Sequence, residues 1–470
     1  MAKITTNSPD WSSLIPVLPD GGPQTGQLYS AIRRLIESGL VSPGTKLPTT
    51  RDLAKRLNIS RTAAIAAFEL LTAEGFTDAR IGAGTFVAEH VPLLAPAHSK
   101  PRRSPQPQPA LPCTLGIAMA DQRTWEVFRK LMGRRLTRAA PEHFCYADPR
   151  GGQRLREAIA TYLRTARGVR CDAEAIIITN GAQQAVDLIA RALISPGDRV
   201  LVEDPCYPMA RMALTGQGAE LVGIPVDQEG LNLAGVSEVP AARAVYVTPS
   251  HQFPLGVTMS MRRRLALIDW ARQNGAWIIE DDYDSEFRYV GPPLAAMQGM
   301  DDSGRVIYVG TFSKVLFPGL RLGYAVVPDA LMDPILSLRT RSDRQPSTLA
   351  EDALADLITE GHFAAHLRRA RRRAQAARDL LAKILLAKGP PDLTLDIPGQ
   401  GLHMVARLAR TMPDTEIAAA AQAAGIGCRA LSPMYVDAKP EQGLVLGFSG
   451  FSDSELTGAA ERLCDLLRTD

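Results

Sequence analysis

The stretch GTFSKVLFPGLRLGY, Gly310 to Tyr324, sets one lysine and one arginine on either side of a Pro-Gly turn. Lys314 and Arg321 are separated by aliphatic and aromatic residues. A lysine walled off from water loses proton affinity and becomes a free amine near neutrality. Such an amine attacks an aldehyde to form a Schiff base. A guanidinium is permanently charged and matches the oxygens of a phosphate. The turn at Pro318 and Gly319 would return Arg321 to the pocket of Lys314, and Thr311 and Ser313 add hydroxyls for phosphate oxygens. An aldehyde and a phosphate carried on one flat ring describe pyridoxal phosphate. Around a lone Ser-Lys pair the simpler account is two solvated cations on a loop, so the remaining contacts must come from elsewhere in the chain.

Three other stretches supply them. The ring nitrogen acts as an electron sink while a carboxylate holds its proton. AWIIEDDYDSEF ends an apolar run in acids, at the strand end where ligands of α/β folds bind. Asp281 is the acid assigned to the nitrogen, and Tyr283 is placed to meet the ring's phenolic oxygen. Asp284 and Glu286, further along, fit a solvated acidic loop. IIITNGAQQAVDLI reads as strand, glycine turn and helix, so the amides of Ala182 and Gln183 would face a phosphate at a helix N-terminus. Tyr207, in the Pro-flanked turn VEDPCYPMA, either stacks on a flat cofactor or fills the core.

These stretches need a scaffold, and the chain alternates to provide one. AIIIT precedes GAQQAVDLIARAL, RVLVED precedes YPMARMAL, and AVYVTP precedes RRRLALIDWARQNG; AWIIEDD and RVIYVG follow. Repeated strand and helix predict an α/β domain with a mostly parallel sheet. After the helical run that ends in RDLLAKIL, a smaller α+β subdomain is expected. Upstream, residues 91–112 hold seven prolines and read as an interdomain linker. Residues 1–90 then form a first domain and 113–470 a second.

The first domain has its own pattern. GQLYSAIRRLIESGL is helical, TTRDLAKRL is a short helix capped by Thr49 or Thr50, and SRTAAIAAFELLTAEG follows a turn at Asn58 with Ser60 as cap. FTDARIGAGTFVAEH reads as two strands joined at Gly82 to Gly84. That order is a winged helix-turn-helix. Ser60, Arg61 and Thr62 open the helix that would enter the major groove, and Arg61 can make paired contacts to guanine or phosphate. Arg51 would touch the DNA backbone, and Gly84 would let the wing approach a minor groove. A small bundle with solvated arginines is the competing account.

Bulk properties agree with this division. A chain of 470 residues exceeds one core, and 46% hydrophobic with 22% charged residues is a globular composition. Residues 1–112 carry 12 Lys and Arg against 8 Asp and Glu, so the net charge of +3 sits at the N-terminal end, as a polyanionic partner there would favour. Six cysteines without C-x-x-C spacing fit reduced thiols and no metal site. No run is long and apolar enough to span a bilayer, and no signal peptide is evident, so a cytoplasmic protein without a membrane partner is expected.

KLPTTRDLAKRLNISRTAAIAAFELLTAEG followed by GAGTFV resembles the DNA-binding domain of GntR-type bacterial regulators. The order Gly-Ala-Gln, Tyr207, Asp281, Tyr283, Lys314 and Arg321 resembles aminotransferases of the aspartate aminotransferase fold over nearly all of 113–470. The combination, with TPSHQFP, EDDYDSEFRY and GTFSK, resembles MocR-type regulators. The resemblance implies a homodimer, a double-stranded DNA operator as partner, and a small-molecule effector, either an amine or pyridoxal phosphate itself, sensed through an aldimine on Lys314. A working aminotransferase with an attached DNA-binding domain is the alternative, and a body kept only for dimerisation is a third. Two positions depart from the aminotransferase pattern. Phe253 stands where an asparagine contacts the ring oxygen, and Val445 where an arginine grips the substrate carboxylate; Arg429 is a candidate to replace the latter.

Overall fold

A computed structural model describes residues 14, 18, 23–91, 109–117, 119–137, 145–237, 239 and 241–469. Most of the proline-rich stretch lies outside them. The chain divides into two compact units, Met1–Pro107 and Gln108–Asp470. The second starts inside that stretch, a few residues earlier than expected. Gly427 donates its amide to the Pro112 carbonyl, and Cys113 is buried in the second unit's core.

The first unit holds helices α1 (Gln24–Glu37), α2 (Thr50–Leu57) and α3 (Arg61–Ala73), then strands β1 (Thr77–Arg80) and β2 (Gly84–Val87). Of the two candidate caps for α2, Thr49 is the one used; its hydroxyl accepts the Asp52 amide. Asn58 ends α2 in a left-handed conformation, φ 52°, which turns the chain into α3. Leu28, Ile32, Leu53, Phe68, Leu71 and Val87 form the core. Ala64 and Ala67 are fully buried, so α3 packs through small residues. β1 and β2 pair antiparallel from Thr77 opposite Val87 to Arg80 opposite Gly84.

The second unit follows with α4 (Gln122–Thr137), α5 (Gln153–Arg167), β3 (Ile176–Thr179), α6 (Ala182–Leu193), β4 (Arg199–Asp204), α7 (Pro208–Thr215), β5 (Glu220–Asp227), β6 (Gly230–Leu231), α8 (Leu233–Ser237), β7 (Ala244–Val247), α9 (Met261–Asn274), β8 (Trp277–Asp282), β9 (Val306–Thr311), β10 (Gly323–Val326), α10 (Asp329–Ser342), α11 (Glu351–Thr359) and α12 (His362–Lys388). The sheet order is β3-β10-β9-β8-β7-β4-β5-β6. β5, β4, β7, β8 and β9 run parallel, and β10 runs antiparallel to both β3 and β9. β3, β7, β8 and β9 are buried at every position, as a sheet covered on both faces requires.

A second sheet is built from β11 (Leu393–Asp396), β12 (His403–Leu408), β13 (Arg429–Ala430) and β14 (Gly443–Gly447), in the order β11-β12-β14-β13, with α13 (Asp414–Ala423) and α14 (Asp453–Thr469). This is the expected α+β subdomain. It is bonded to the larger part at several places, the loop into β12 among them, where Gly401 donates to the Phe287 carbonyl and His403 to that of Pro254; the densest joint lies at the end of β4. The Asp204 carboxylate, at the end of β4, accepts the amides of Val436, Asp437 and Ala438 at 2.8, 2.9 and 2.7 Å. The Asp437 carboxylate in turn accepts the Gly223 amide at 2.7 Å. Arg211 caps the carbonyls of Pro433 and Tyr435 beside them.

Candidate functional site

The parallel strands all end at one edge of the large sheet, and the loops leaving that edge enclose a cavity of about 240 Å³. Every residue the sequence assigns to the cofactor lines it: Lys314, Arg321, Asp281, Tyr283, Tyr207, Ala182, Gln183, Thr311 and Ser313.

The hairpin explains the first pair. β9 and β10 place Thr311 opposite Gly323, so the loop between them leaves and re-enters the sheet at the same edge. Lys314 lies near its start and Arg321 near its end. Arg321 adopts φ 52°, uncommon for a side-chain-bearing residue, and its Nη2 donates to the Asn180 carbonyl at 2.6 Å. Its guanidinium therefore lies over the turn before α6; a Cβ on Gly181 would sit 3.5 Å from Nη1. The amides of Ala182 and Gln183 open that helix and have no acceptor within it. Two donors and a guanidinium thus converge on one spot, with the Thr311 hydroxyl, which accepts the Ser313 amide at 3.1 Å, nearby.

At the other end of the cavity, β8 alternates its acids between faces. Glu280 accepts the amides of Met297 and Gln298, and Asp282 pairs with Arg167 at 2.8 Å. Asp281 points the opposite way, into the cavity. Its Oδ2 accepts from the Tyr246 hydroxyl at 2.6 Å, and its Oδ1 is buried with no hydrogen-bond partner. Burial pushes the Asp281 carboxyl up to about 6, against the stabilising Tyr246 hydrogen bond. A carboxylate left half-satisfied in this way fits a protonated ring nitrogen. Burial also lowers the proton affinity of Lys314, offset in part by Asp284 and Asp281. Gly116 lies beside it at φ 76°, and a Cβ there would fall 2.4 Å from Nζ, so the amine would have to shift. The residues present therefore fit pyridoxal phosphate.

Tyr207 is half-buried in the cavity wall and meets Phe253 edge to face at 5.2 Å between centroids. Both readings of Tyr207 hold in part, because its ring packs on an apolar cluster and still lines the cavity.

Asp284 corrects the sequence reading. It is 1% exposed, not solvated, and its carboxylate lies 3.0 Å from His251 Nδ1. Glu286 is half-buried rather than solvated; it accepts the Tyr162 hydroxyl at 2.9 Å, and burial pushes it up to about 7. A run of acids past a strand end looks like a solvated loop, but here the chain after β8 turns inward, with Glu286 on Tyr162 of α5. Tyr246, His251, His403 and Gly116 were not foreseen as site residues. His251 sits in the quoted SHQFP segment, and that was the one local signal. Arg429 lines the cavity and lies opposite Val445 in the strand register, so a guanidinium reaches this region from the neighbouring strand.

In the first unit, Arg51, Ser60, Arg61, Thr62 and Gly84 are all exposed. Ser60 is the N-cap of α3; its Oγ accepts the Ala63 amide at 3.1 Å.

Residues 24–87 match the family described as bacterial regulatory proteins, gntR family, and residues 119–463 match aminotransferase class I and II. The chain is 39% identical to a probable rhizopine catabolism regulatory protein MocR of Rhizobium meliloti, over 91% of this chain and 90% of that one. The chain belongs to the MocR-type regulators. Another such regulator, the pyridoxine biosynthesis transcriptional regulator PdxR of Corynebacterium glutamicum, is 31% identical over 93% of this chain and 95% of its own. Among solved structures, a kynurenine aminotransferase of Pyrococcus horikoshii superposes with a TM-score of 0.71 at 26% identity, covering 77% of this chain and 91% of that chain. The MocR-type body is thus an aminotransferase fold with the cofactor chemistry of pyridoxal phosphate, and its head is a DNA-binding domain. Among the described residues, no helix is long and apolar enough to cross a membrane.

Proposed function

We propose that this MocR-type protein regulates transcription by sensing pyridoxal phosphate, or an amine that reacts with it, at Lys314. When bound, the cofactor supplies an aldehyde for amines to condense with and a ring that withdraws electrons. Lys314 holds the aldehyde, Arg321 with Thr311, Ser313 and the Ala182 and Gln183 amides grips the phosphate, Asp281 keeps the ring nitrogen protonated, Tyr283 meets the ring oxygen and Tyr207 covers the ring. The observation that carries the reading is the buried, unpaired Asp281 oxygen in the same cavity as a half-buried lysine whose proton affinity burial lowers.

Arg429 extends the reading to the effector. Its side chain makes no hydrogen bond or ion pair among the described residues, and a guanidinium in that position favours a ligand bearing a carboxylate. The names of two relatives, one tied to pyridoxine biosynthesis and one to rhizopine catabolism, support a small-molecule effector without choosing between the cofactor and an amine. The head reads a double-stranded operator through Arg61 and Thr62, with Arg51 and Gly84 on the DNA backbone and minor groove. A homodimer in the cytoplasm would read two half-sites.

The test is a titration of the full-length protein on its own upstream DNA, with and without pyridoxal phosphate, beside Lys314→Ala. The cofactor is expected to change the wild-type affinity and leave the variant unmoved; equal responses reject the sensing role. The intact Lys314, Asp281 and Arg321 set also favours a second reading, a working aminotransferase. Steady turnover of an amino donor and a keto acid would establish it.

A further inference from the structure

Phe253 leaves the ring oxygen without the asparagine that aminotransferases use. The Phe253 ring meets Tyr207 and Tyr283 edge to face, at 5.2 and 6.2 Å, and offers no donor. Tyr283 must then serve alone, and a phenol has one proton to give. What directs that proton is the question the cavity poses.

Behind Tyr283 stands a buried pair the sequence reading passed over. Tyr283 Oη lies 3.0 Å from His251 Nδ1 and 3.0 Å from the His251 carbonyl. The same Nδ1 is 3.0 and 3.2 Å from the two oxygens of Asp284. His251 and Asp284 are each 1% exposed. A carboxylate accepts, so in this arrangement Nδ1 carries the hydrogen and shares it between Asp284 and Tyr283 Oη. That occupies a lone pair of the phenol and leaves its O–H as a donor, to the His251 carbonyl or into the cavity. Burial and the nearby Asp284 raise the Tyr283 pKa well above 10, so the proton stays on.

The imidazole is packed closely against two glycines. A Cβ on Gly401 would fall 1.8 Å from its Cε1, and one on Gly256 would fall 3.2 Å from its Nε2. Nε2 itself is buried without a partner, so all of the ring's hydrogen bonding is at Nδ1. His403, 4.8 Å away between centroids, has its Nε2 on the Pro254 carbonyl at 3.0 Å, and burial keeps it neutral. The other charges facing the pair are Asp281, Asp282, Glu203 and Lys314.

We propose that His251, held by Asp284, is a positioning residue that directs the Tyr283 hydroxyl and so replaces the missing asparagine in setting the donor for the cofactor's ring oxygen. The proposal rests on the reading that Tyr283 faces that oxygen, and the experiment separates the two. The visible absorbance of the cofactor-loaded, full-length protein is followed against pH. A donor to the ring oxygen favours its negative charge, so losing it shifts the chromophore's deprotonation to higher pH. Tyr283→Phe is expected to raise the midpoint by about one pH unit. His251→Phe is expected to raise it in the same direction, His251→Asn, which keeps an N–H near Nδ1, to restore it, and Tyr283→Phe with His251→Phe to match Tyr283→Phe alone. A shift in Tyr283→Phe with none in His251→Phe overturns the positioning role and spares the Tyr283 reading; no shift in either removes both. Additive shifts mean that His251 acts as a charge and overturn the proposal. Should the His251 variants fail to fold, ¹⁵N-histidine spectra of the wild type decide: a neutral His251 protonated at Nε2 overturns it, and one protonated at Nδ1 supports it.

Discussion

The setting of the Lys314 amine is defined by what is absent around it. Gly116 withholds a side chain where one would strike Nζ, and burial strips water from the amine. Arg429 is the residue whose removal tests the proposed effector contact apart from the cofactor. Arg429→Leu is expected to leave the visible absorbance of the loaded protein unchanged and to weaken the DNA-binding response to a carboxylate-bearing amine about tenfold or more, as loss of one charge-assisted contact implies. A fluorescence titration of operator DNA at rising amine concentration measures it. At this scale the sequence spoke clearly wherever a residue's chemistry was unusual for its setting: a lysine and arginine in an apolar stretch, an acid ending a buried strand. It was silent on Tyr246 and His403, because a tyrosine in AVYV and a histidine in a strand look like ordinary core until distant chains close around them.

Elements show which polar residues serve the fold and which remain available. Ser60 and Arg61 are adjacent and both exposed, yet only Ser60 is spent on capping α3. Ser60→Ala is expected to destabilise the head by about 1 kcal/mol, seen as a lower melting transition. Arg61→Ala is expected to leave that transition in place and to reduce operator affinity by about 1–3 kcal/mol, seen in an electrophoretic shift titration. Equal melting for both would mean the cap is not stabilising. Helices and strands were readable from periodicity and caps, and the hairpin β1–β2 from its glycines. The antiparallel β10 was not, although it is what returns Arg321 to Lys314. Strand direction depends on which neighbours pair, and VLFPGLRLGYAVV has the same pattern in either sense.

Over the molecule as a whole, the buried acids set the response to pH. Burial pushes Glu203, Glu286 and Glu351 up to about 7 and Asp281 up to about 6. A carboxyl whose proton is held more tightly in the folded state contributes stability that is complete below its unfolded value and is lost as pH rises through the folded one. Burial lowers His366 and His403, whose contribution grows as pH rises to the ordinary imidazole value, so the fall is expected above it: the cofactor-free protein melts at lower temperature at about pH 8 than at about pH 7. Glu203→Gln, which cannot ionise, should flatten that fall in a thermal melt series; an unchanged slope would show that Glu203 is ionised throughout. The division into head and body was legible from the proline-rich stretch and the change of period. The joint between the two sheets of the body was not, since Asp204 and the amides of 436–438 are over two hundred residues apart and share no local signature.

That joint has a mechanical result. With the Gly223 amide on Asp437 and Arg211 on the neighbouring carbonyls, the three amides held by Asp204 clamp residues 433–438 to the end of β4, and Arg429, on the strand just before them, keeps a fixed station along the cavity wall.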